Sequence, residues 1–276
     1  MAIALTRAVS PTIVSCELTH LQREPIDVDR ARAQHLAYER ALEAIGCSVV
    51  RVPEAPELPD AVFIEDTAIV LDEIAIAARP GADSRRPEVS AVAAVLARHR
   101  DVVAIEEPGT LDGGDVMVAG RHVFVGRSGR TNDAGFEQLL AAVEPLGYRA
   151  IRVQVHGCLH LKSAVTAIDA RTLVVNRDWV DADALSDFDL VDVAPGEPFG
   201  ANVLSVAGRV ISAASWPRTR ARLEARGFAV TPVDLAELAK AEGAVTCCSL
   251  IVWPRTDRRS PAVDRMPPAD RKFTHL

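Results

Sequence analysis

Two adjacent cysteines, Cys247 and Cys248, open an apolar run near the C-terminus whose residues favour a β-strand. Successive side chains of a strand point to opposite faces, so the two thiols cannot share one environment. One can face a cleft while its neighbour packs into the core. Because cysteine is commonly buried, core packing is the simpler interpretation of either residue. We interpret Cys247 as a nucleophile and Cys248 as a core residue.

A second run, His156-Gly-Cys158-Leu-His160, contains a candidate acid–base group. A cysteine nucleophile needs a proton-transfer partner, and this requirement favours His160. In an extended chain His156, Cys158 and His160 share one face, so they could instead form a metal site. We disfavour a metal because the run contains no carboxylate and a bound ion would compete with acid–base chemistry.

Acidic residues form two further clusters, one made of Asp60, Glu65 and Asp66 and one in the segment LDGGD, which contains Asp112. A carboxylate accepts two parallel hydrogen bonds from a guanidinium, so the first cluster could recognise a cation. The paired glycines let the backbone approach a ligand closely, and Asp112 could orient a histidine. The plainer interpretations are solvated surface charge for the first cluster and a Gly-Gly turn for the second.

A cationic substrate would explain how such a thiol becomes reactive. An isolated thiol has a pKa near 8.5 and is mostly protonated at neutral pH. A guanidinium bound beside Cys247 would favour the thiolate and so help to activate its own attacker. Arg85 and Arg130 lie in turns, where a solvated charge is the simplest interpretation of each, but together they could hold a substrate carboxylate.

The composition is that of an ordinary soluble globular protein. The 276 residues are 49% hydrophobic and 25% charged, and the net charge of −7 argues against a nucleic-acid partner. The five cysteines are odd in number and form no C-x-x-C pair, which argues against a disulfide framework or a structural zinc site. There is neither a signal peptide nor an apolar stretch long enough to span a membrane, so we expect a cytoplasmic protein.

The order strand, strand, helix, strand is predicted four times between residues 67 and 233, with a period of roughly 40 to 50 residues. A strand, a helix and a strand at the N-terminus could complete a fifth unit with a last strand over 247–252. Five such units would close into a ring with few free sheet edges. We expect one α/β catalytic domain over 1–253, a loop or flap over 7–24 and a loosely ordered tail over 254–276.

Five segments carry a resemblance to a known family: LPDAVFIEDTAIV, ARPGADSRRPEV, LDGGDVMVAGRHVFVGRSGRTN, LHLKS and GAVTCCSLIV. In this order and spacing they resemble the dimethylarginine dimethylaminohydrolase family of the guanidine-modifying pentein superfamily. The resemblance extends from about Arg7 to Val252. It implies a five-bladed α/β propeller, which agrees with the repeat count.

The resemblance also implies a role for each candidate residue. Cys247 matches the nucleophile, His160 the general acid and base, and Asp112 the group that supports the histidine. The positions that match substrate contacts are Glu65 and Asp66 for the guanidinium, Arg85 and Arg130 for the carboxylate, Asp60 for the α-amino group, and Leu18 and Ala241 for backbone carbonyl contacts. At Ala241 the family often has a larger aliphatic residue.

The activity implied by the resemblance is hydrolysis of asymmetric dimethylarginine and monomethylarginine to citrulline and dimethylamine or methylamine, through a covalent thiouronium on Cys247. It implies no metal or organic cofactor, and a small-molecule substrate as partner. A thiolate beside a histidine can capture zinc, so we expect zinc only as an inhibitor at Cys247. Two alternatives stay open: an arginine deiminase-like hydrolase of another guanidino compound, and a non-catalytic amino-acid-binding pentein. The sequence does not define the oligomeric state, and a homodimer is one of the states it allows.

Overall fold

The computed structural model describes residues 1–254, which form short strands joined by helices and turns. Residues 255–276, nearly all of the predicted tail, lie outside the described residues. The strands are β1 (Ala2–Thr6), β2 (Cys47–Arg51), β3 (Ala68–Val70), β4 (Ile74–Ala77), β5 (Asp101–Ala104), β6 (Val116–Ala119), β7 (His122–Arg127), β8 (Arg149–Gln154), β9 (Val165–Ala167), β10 (Thr172–Val175), β11 (Asp189–Asp192), β12 (Val203–Val206), β13 (Arg209–Ala213), β14 (Ala229–Val233) and β15 (Leu250–Val252).

Two kinds of helix connect these strands. The α-helices are α1 (Val28–Ala44), α2 (Val89–Leu96), α3 (Asp133–Val143), α4 (Leu161–Ala164), α5 (Pro217–Ala225) and α6 (Ala236–Ala239). Short 3₁₀ helices lie at Ile13–Ser15, Ile64–Thr67, Asp83–Glu88, Gly113–Asp115, Glu144–Leu146, Ala182–Leu185, Pro198–Ala201 and Thr246–Cys248. Within residues 1–254 no helix is both long enough and apolar enough to cross a bilayer.

The strands form five three-stranded sheets of one design. In four of them, which follow one another along the chain, the first strand is antiparallel to the second and the second is parallel to the third. The fifth sheet combines both ends of the domain, because β1 pairs antiparallel with β15 and parallel with β2. The predicted fifth unit, made of the N-terminal segments and the last strand, is confirmed.

The core shows how the five sheets are arranged. The middle strand of each sheet is buried on both faces, so neighbouring residues of that strand pack against different sheets. Each apolar cluster contains residues from the middle strands of two successive sheets. These pairs are Ile76 with Val123, Phe124 with Leu173, Val174 with Val210, Ile211 with Ala4, and Leu5 with Ala75. Because the last pair returns to the first sheet, the sheets close into a ring, and the predicted five-bladed α/β propeller is confirmed.

In helix α1 the capping residues agree with the observed ends, but the apolar spacing predicts its buried face only in part. Asp27 caps the helix, since its Oδ1 accepts a hydrogen bond from the Arg30 N–H at 3.0 Å, and Gly46 follows the helix with a φ of +99°. Leu42 and Ile45 are buried as their spacing predicts. The same spacing predicts that Leu36 also lies on this buried face, which is wrong because its side chain is exposed.

Two other local predictions need correction. The weak helix predicted near 181–186 is the 3₁₀ helix Ala182–Leu185. The segment 7–24 lacks strands and α-helices, as predicted, but its first half is not a loose flap. Arg7, Val9, Ile13 and Cys16 are buried, and the guanidinium of Arg7 donates to the carbonyl of Glu88.

Gly113 allows two neighbouring units to approach each other closely. A Cβ placed on it would lie 2.0 Å from the carbonyl oxygen of Glu65 and 2.8 Å from that of Ala68. Both contacts are backbone atoms, so a side chain there cannot be accommodated by a rotamer change. A glycine is therefore required at this position to bring the segment that carries Asp112 against the segment that carries Glu65.

Gly113→Ala should lower the free energy of unfolding by at least about 1–3 kcal/mol, because the methyl group overpacks a rigid contact. Urea denaturation of the purified protein measures the change. Gly129→Ala is the matched control, since a Cβ at Gly129 meets no atom within 4 Å. Equal stability of the two variants would contradict the close approach.

Candidate active site

A small cavity brings together most of the predicted site residues. It is lined by residues from segments that connect strands, some within one sheet and some between different sheets. The predicted residues on its wall are Asp60, Asp66, Arg85, Arg130, His160, Ala241 and Cys247. Leu18, Glu65 and Asp112 are not part of the wall. Residues more than 180 positions apart thus meet in one cavity.

Cys247 lies in the 3₁₀ helix Thr246–Cys248, immediately before β15. The prediction of a strand beginning at Cys247 was therefore wrong, and side-chain alternation along a strand is not what separates the two thiols. Their environments still differ. Cys247 is partly exposed and lines the cavity, whereas Cys248 is fully buried in the apolar cluster that contains Tyr38.

His160 lies between two carboxylates. Its Nε2 is 3.0 Å from Oδ2 of Asp112, and its Nδ1 is 3.6 Å from Oδ1 of Asp66. Burial disfavours the imidazolium, but the Asp66 charge and the Asp112 hydrogen bond outweigh it and raise the pKa of His160 to about 9. The imidazole is thus held as a cation at neutral pH, ready to donate a proton.

Asp112 orients this histidine from behind. Its side chain is fully buried, and its Oδ1 accepts a hydrogen bond from the Gly81 N–H at 2.8 Å. With one oxygen fixed by the backbone and the other facing His160, the carboxylate has little freedom to turn away. Asp112 therefore acts on the cavity through the imidazole.

Asp66 is a buried, negatively charged residue of the cavity wall. Its Oδ2 accepts from Nη1 of Arg85 at 2.5 Å, and its Oδ1 accepts from the Gly114 N–H at 2.9 Å. Burial raises the pKa of Asp66, but the His160 and Arg85 charges more than offset it and lower the pKa to about 2. The carboxylate is therefore ionised and able to attract a cation into the cavity.

Glu65 is buried next to Asp66 and faces away from the cavity. Its two oxygens accept hydrogen bonds from Nζ of Lys162 and Oγ1 of Thr246, each at 2.6 Å. Thr246 immediately precedes Cys247, and Asn202 also bonds both the backbone N–H and the hydroxyl of Thr246. The geometry makes Glu65 a support of the turn that carries the thiol.

The thiol of Cys247 is held in its neutral form. Burial raises its pKa, and the carboxylates of Glu65 and Asp66 raise it further. Within the described residues no hydrogen bond joins its sulfur to the imidazole of His160. A positive charge placed between the thiol and Asp66 would remove part of this electrostatic cost.

The two arginines of the cavity differ. Arg85 is buried rather than solvated, and its guanidinium donates to Asp66, to both carboxylate oxygens of Glu88 and to the carbonyls of Asp60 and Phe63. At most one Nη1 hydrogen remains for a ligand. The simplest interpretation, a solvated charge, was thus wrong for Arg85, while its contact with a substrate carboxylate stays a prediction.

Arg130 is less constrained. Its Nη2 donates to Oγ1 of Thr19 at 2.8 Å, and its Nη1 lies 4.0 Å from Oδ2 of Asp112. Its side chain is 13% exposed. A guanidinium with free donors at the edge of the cavity is suited to a carboxylate ligand.

The remaining predicted contacts are Asp60, Ala241 and Leu18. Asp60 is buried, and its Oδ2 accepts from the Glu17 N–H at 3.1 Å. Burial raises the pKa of Asp60, with opposition from Arg85. Ala241 is buried on the wall, whereas Leu18 is half-buried and packs on the core cluster, with Glu17 lining the cavity instead.

Several residues of the site were not predicted. The wall also contains Glu17, Phe63, Leu159 and Glu242. The only local signal among the supporting residues is the spacing of Arg85 and Glu88, which pair three positions apart as helical neighbours do. No pattern in the sequence distinguishes Glu242 from any other acidic residue that follows a short helix.

Asp115 supports the same region from the LDGGD segment. It is fully buried, and it accepts hydrogen bonds from the hydroxyls of Ser128 and Thr131 and from the N–H of Leu161, which follows His160. Burial raises its pKa to about 6. The sequence identified the segment but gave no role to this carboxylate.

The alternative metal triplet of His156, Cys158 and His160 is not formed. His156 is exposed, whereas Cys158 and His160 are buried. The group of potential ligands that the described residues do bring within 4.8 Å consists of Asp66, Asp112 and His160. Each of these side chains is already engaged by protein donors or by the other members of the group.

Comparison with known proteins identifies the family. The family model described as "N,N dimethylarginine dimethylhydrolase, eukaryotic" matches residues 19–252. The N(G),N(G)-dimethylarginine dimethylaminohydrolase of Streptomyces coelicolor is 43% identical over 249 residues, which cover 90% of this chain and 95% of the relative. The chain belongs to the dimethylarginine dimethylaminohydrolase family. The enzyme of that name from Pseudomonas aeruginosa is 35% identical over 81% of this chain and 89% of its own length.

Solved structures agree with this membership. A cysteine-to-serine mutant of the P. aeruginosa enzyme, complexed with citrulline, matches with a TM-score of 0.85 at 32% identity and covers 90% of this chain and 98% of that chain. The N-terminal domain of ArgZ, a cyanobacterial arginine dihydrolase, matches with a TM-score of 0.83 at 18% identity, over 92% of this chain and 98% of that chain. The second likeness extends the fold beyond the dimethylarginine dimethylaminohydrolase family.

The charge state of His160 predicts a pH dependence of stability. Its pKa is about 9 in the folded protein and 6.5 ordinarily, so the stabilisation is fully present below pH 6.5 and is lost as the pH rises through 9. The difference in unfolding free energy between the wild type and His160→Gln should be larger at pH 6 than at pH 10, by about 3 kcal/mol. Urea denaturation of both proteins at the two pH values measures it. A difference that does not change with pH would contradict the charged imidazole.

Proposed function

We propose that this protein hydrolyses Nω-methylated arginines, namely asymmetric dimethylarginine and monomethylarginine, to citrulline and dimethylamine or methylamine. One observation carries the proposal: Cys247, His160 and Asp66 line a single cavity, with Asp112 fixed behind the histidine. These are the nucleophile, the acid and the cation-binding carboxylate that the reaction requires.

Binding begins with the charge on the substrate. The ionised Asp66 attracts the guanidinium, which takes its place beside the Cys247 thiol. The α-carboxylate of the substrate pairs with Arg130 and with the remaining donor of Arg85, and the α-amino group pairs with Asp60. Backbone carbonyls at Leu18 and Ala241 complete the contacts in this proposal.

The first chemical step forms a carbon–sulfur bond. The guanidinium lowers the cost of a negative sulfur, so the thiol releases its proton to solvent and the thiolate attacks the central guanidinium carbon, whose C–N π electron pair moves onto nitrogen. The product is a tetrahedral adduct in which the positive charge of the guanidinium and the negative charge of sulfur have cancelled. Holding both groups in one cavity supplies much of the acceleration through positioning.

The second step breaks the bond to the methylated nitrogen. The His160 imidazolium donates its proton to that nitrogen, and dimethylamine or methylamine departs. The thiouronium that remains on Cys247 carries the positive charge, and His160 is now neutral. Proton transfer of this kind contributes about 100- to 10,000-fold to a rate.

The third step returns the enzyme to its starting state. Neutral His160 removes a proton from a water molecule as that water attacks the thiouronium carbon. The hydroxyl group of the new adduct then gives its proton to sulfur as the carbon–sulfur bond breaks, which releases citrulline and regenerates the Cys247 thiol. Asp112 stabilises the imidazolium that forms on His160.

We propose that no metal or organic cofactor takes part. The potential ligand atoms of Asp66, Asp112 and His160 are engaged within the protein, and the substrate itself brings the positive charge that the reaction needs. Zinc would act only as an inhibitor through the Cys247 thiolate. The net charge of −7 supports a small-molecule substrate rather than a nucleic-acid partner. A homodimer and a cytoplasmic location remain predictions.

The direct test is to incubate the purified protein, in buffer containing a metal chelator, with asymmetric dimethylarginine and to measure citrulline and dimethylamine. We expect the two products in equal amounts, and little reaction with arginine. Release of ammonia from arginine at a comparable rate would favour the arginine deiminase-like alternative. The absence of citrulline from every guanidino substrate, with binding retained, would favour the non-catalytic alternative.

The adjacent thiols provide a matched pair of variants. Cys247→Ser should lower kcat at least roughly a thousandfold, because the covalent step is lost. Cys248→Ser should retain much of the turnover, since Cys248 is buried in the core. Steady-state kinetics with asymmetric dimethylarginine compares them, and the reverse order of losses would show that the nucleophile is the other cysteine.

A further inference from the structure

Glu242 lines the cavity, and its carboxylate accepts hydrogen bonds from three consecutive backbone N–H groups. Its Oε2 accepts from the N–H of Thr19 at 2.9 Å, and its Oε1 accepts from the N–H groups of His20 and Leu21 at 2.5 and 2.7 Å. Successive N–H groups that point at one anion form a concave site for negative charge. An amide side chain of the same length has only one acceptor oxygen and cannot replace both carboxylate oxygens.

The backbone of Glu242 is held in an unfavourable conformation. Its φ of +58° lies in the left-handed region that favours glycine. The other described non-glycine residue with a positive φ is Ala207, in the tight turn between β12 and β13, where such angles are usual. Glu242 instead lies in the C-terminal cap of α6, where its N–H bonds the carbonyl of Ala239 at 3.1 Å and the N–H of Gly243 bonds the carbonyl of Leu238 at 3.0 Å, a helix end that favours a positive φ.

The segment that Glu242 holds forms part of the cavity. We call residues 17–21 the roof segment, because Glu17 lines the cavity and the three N–H groups bound by Glu242 follow it. Two other ties fix this segment: Asp60 accepts from the Glu17 N–H, and Arg130 donates to the Thr19 hydroxyl. Glu17 also accepts a hydrogen bond from Ser84 at the rim.

Two of these ties involve residues that the substrate needs. In the proposed function Asp60 binds the α-amino group and Arg130 binds the α-carboxylate, so a bound methylarginine competes with the roof segment for both. Glu242 also lines the cavity, but none of the predicted substrate contacts uses its carboxylate, so the substrate does not compete for its three hydrogen bonds. With the substrate bound, the roof segment therefore keeps the hydrogen bond from Ser84 to Glu17 and the three bonds to Glu242, so Glu242 supplies most of the hydrogen bonds that remain.

We propose that Glu242 is a positioning residue that holds the roof segment over the bound methylarginine while Asp60 and Arg130 engage the substrate. The inference rests on the proposed function for the identity of the ligand. Glu242 acts through residues 17–21 and does not touch the reacting atoms. It therefore contributes equally to the ground state and the transition state, and its loss should appear in KM rather than in kcat.

The decisive variant is Glu242→Gln, which keeps the length of the side chain and removes the charge and one acceptor. We expect KM for asymmetric dimethylarginine to rise roughly 10- to 100-fold, as for the loss of charge-assisted hydrogen bonds, with kcat within about twofold of the wild type. Amide hydrogen exchange at Thr19, His20 and Leu21 should accelerate. Unchanged exchange, or a fall in kcat at constant KM, would overturn the proposal.

Two glycine variants separate the role of the carboxylate from that of the backbone. Glu242→Gly removes the side chain but suits the positive φ, so it should raise KM as Glu242→Gln does without lowering stability. Ala207→Gly relieves the same kind of backbone strain far from the roof segment along the chain, and should leave both KM and the exchange of residues 19–21 unchanged. Wild-type KM in Glu242→Gly would overturn the proposal.

Failure of the proposed function gives a different result from failure of this inference. If the wild type releases no citrulline, the exchange of residues 19–21 with and without added citrulline still decides whether Glu242 holds the roof segment. Faster exchange in Glu242→Gln than in the wild type would then support the tie. If exchange accelerates in an active enzyme while KM stays constant, the roof segment does not position the substrate and the inference is wrong.

Discussion

The buried carboxylate of Asp66 is the interaction on which the arrangement of the cavity depends. It is shared between Arg85, the imidazole of His160 and a backbone N–H, so it stays ionised although it has almost no contact with solvent. The same charge raises the pKa of the imidazole, and it adds to burial and to the Glu65 carboxylate in raising the pKa of the Cys247 thiol. In the proposed mechanism, the free protein therefore holds its acid in the active form and its nucleophile in the inactive form. We propose that a cationic substrate reverses the second condition by placing its charge between Asp66 and sulfur.

This charge arrangement requires a closed ring of sheets. Glu65 and Thr246 are 181 residues apart in the chain, yet their side chains share a hydrogen bond of 2.6 Å. They meet because β1 pairs with both β2 and β15, which joins the two ends of the domain in one sheet. The turn that carries Cys247 is thereby placed next to the acidic segment of another unit. Burial of every middle strand on both faces makes the ring rigid enough to hold carboxylates that would otherwise be costly to bury.

The sequence alone predicted the repeated units and the ends of helix α1. The repeated order and spacing of strands and helices predicted the five units, and Asp27 and Gly46 marked the ends of α1 because caps act through local backbone geometry. The turn at Cys247 was missed, since a single 3₁₀ turn and a strand have the same apolar composition over three residues. The burial of Arg85 was also missed, because Asp66, which neutralises it, lies 19 positions away along the chain. The roles of the site residues came from the family resemblance, whereas the tie made by Glu242 required coordinates.

The central claim is that Cys247 stays a neutral thiol until a cation occupies the cavity. The most direct measurement is the ultraviolet absorbance of the thiolate at neutral pH, taken as the difference between the wild type and Cys247→Ser, during titration with a guanidinium ligand that is not hydrolysed. We predict no thiolate absorbance without ligand and its appearance in proportion to the bound ligand. Full thiolate absorbance in the ligand-free protein at neutral pH would contradict the account.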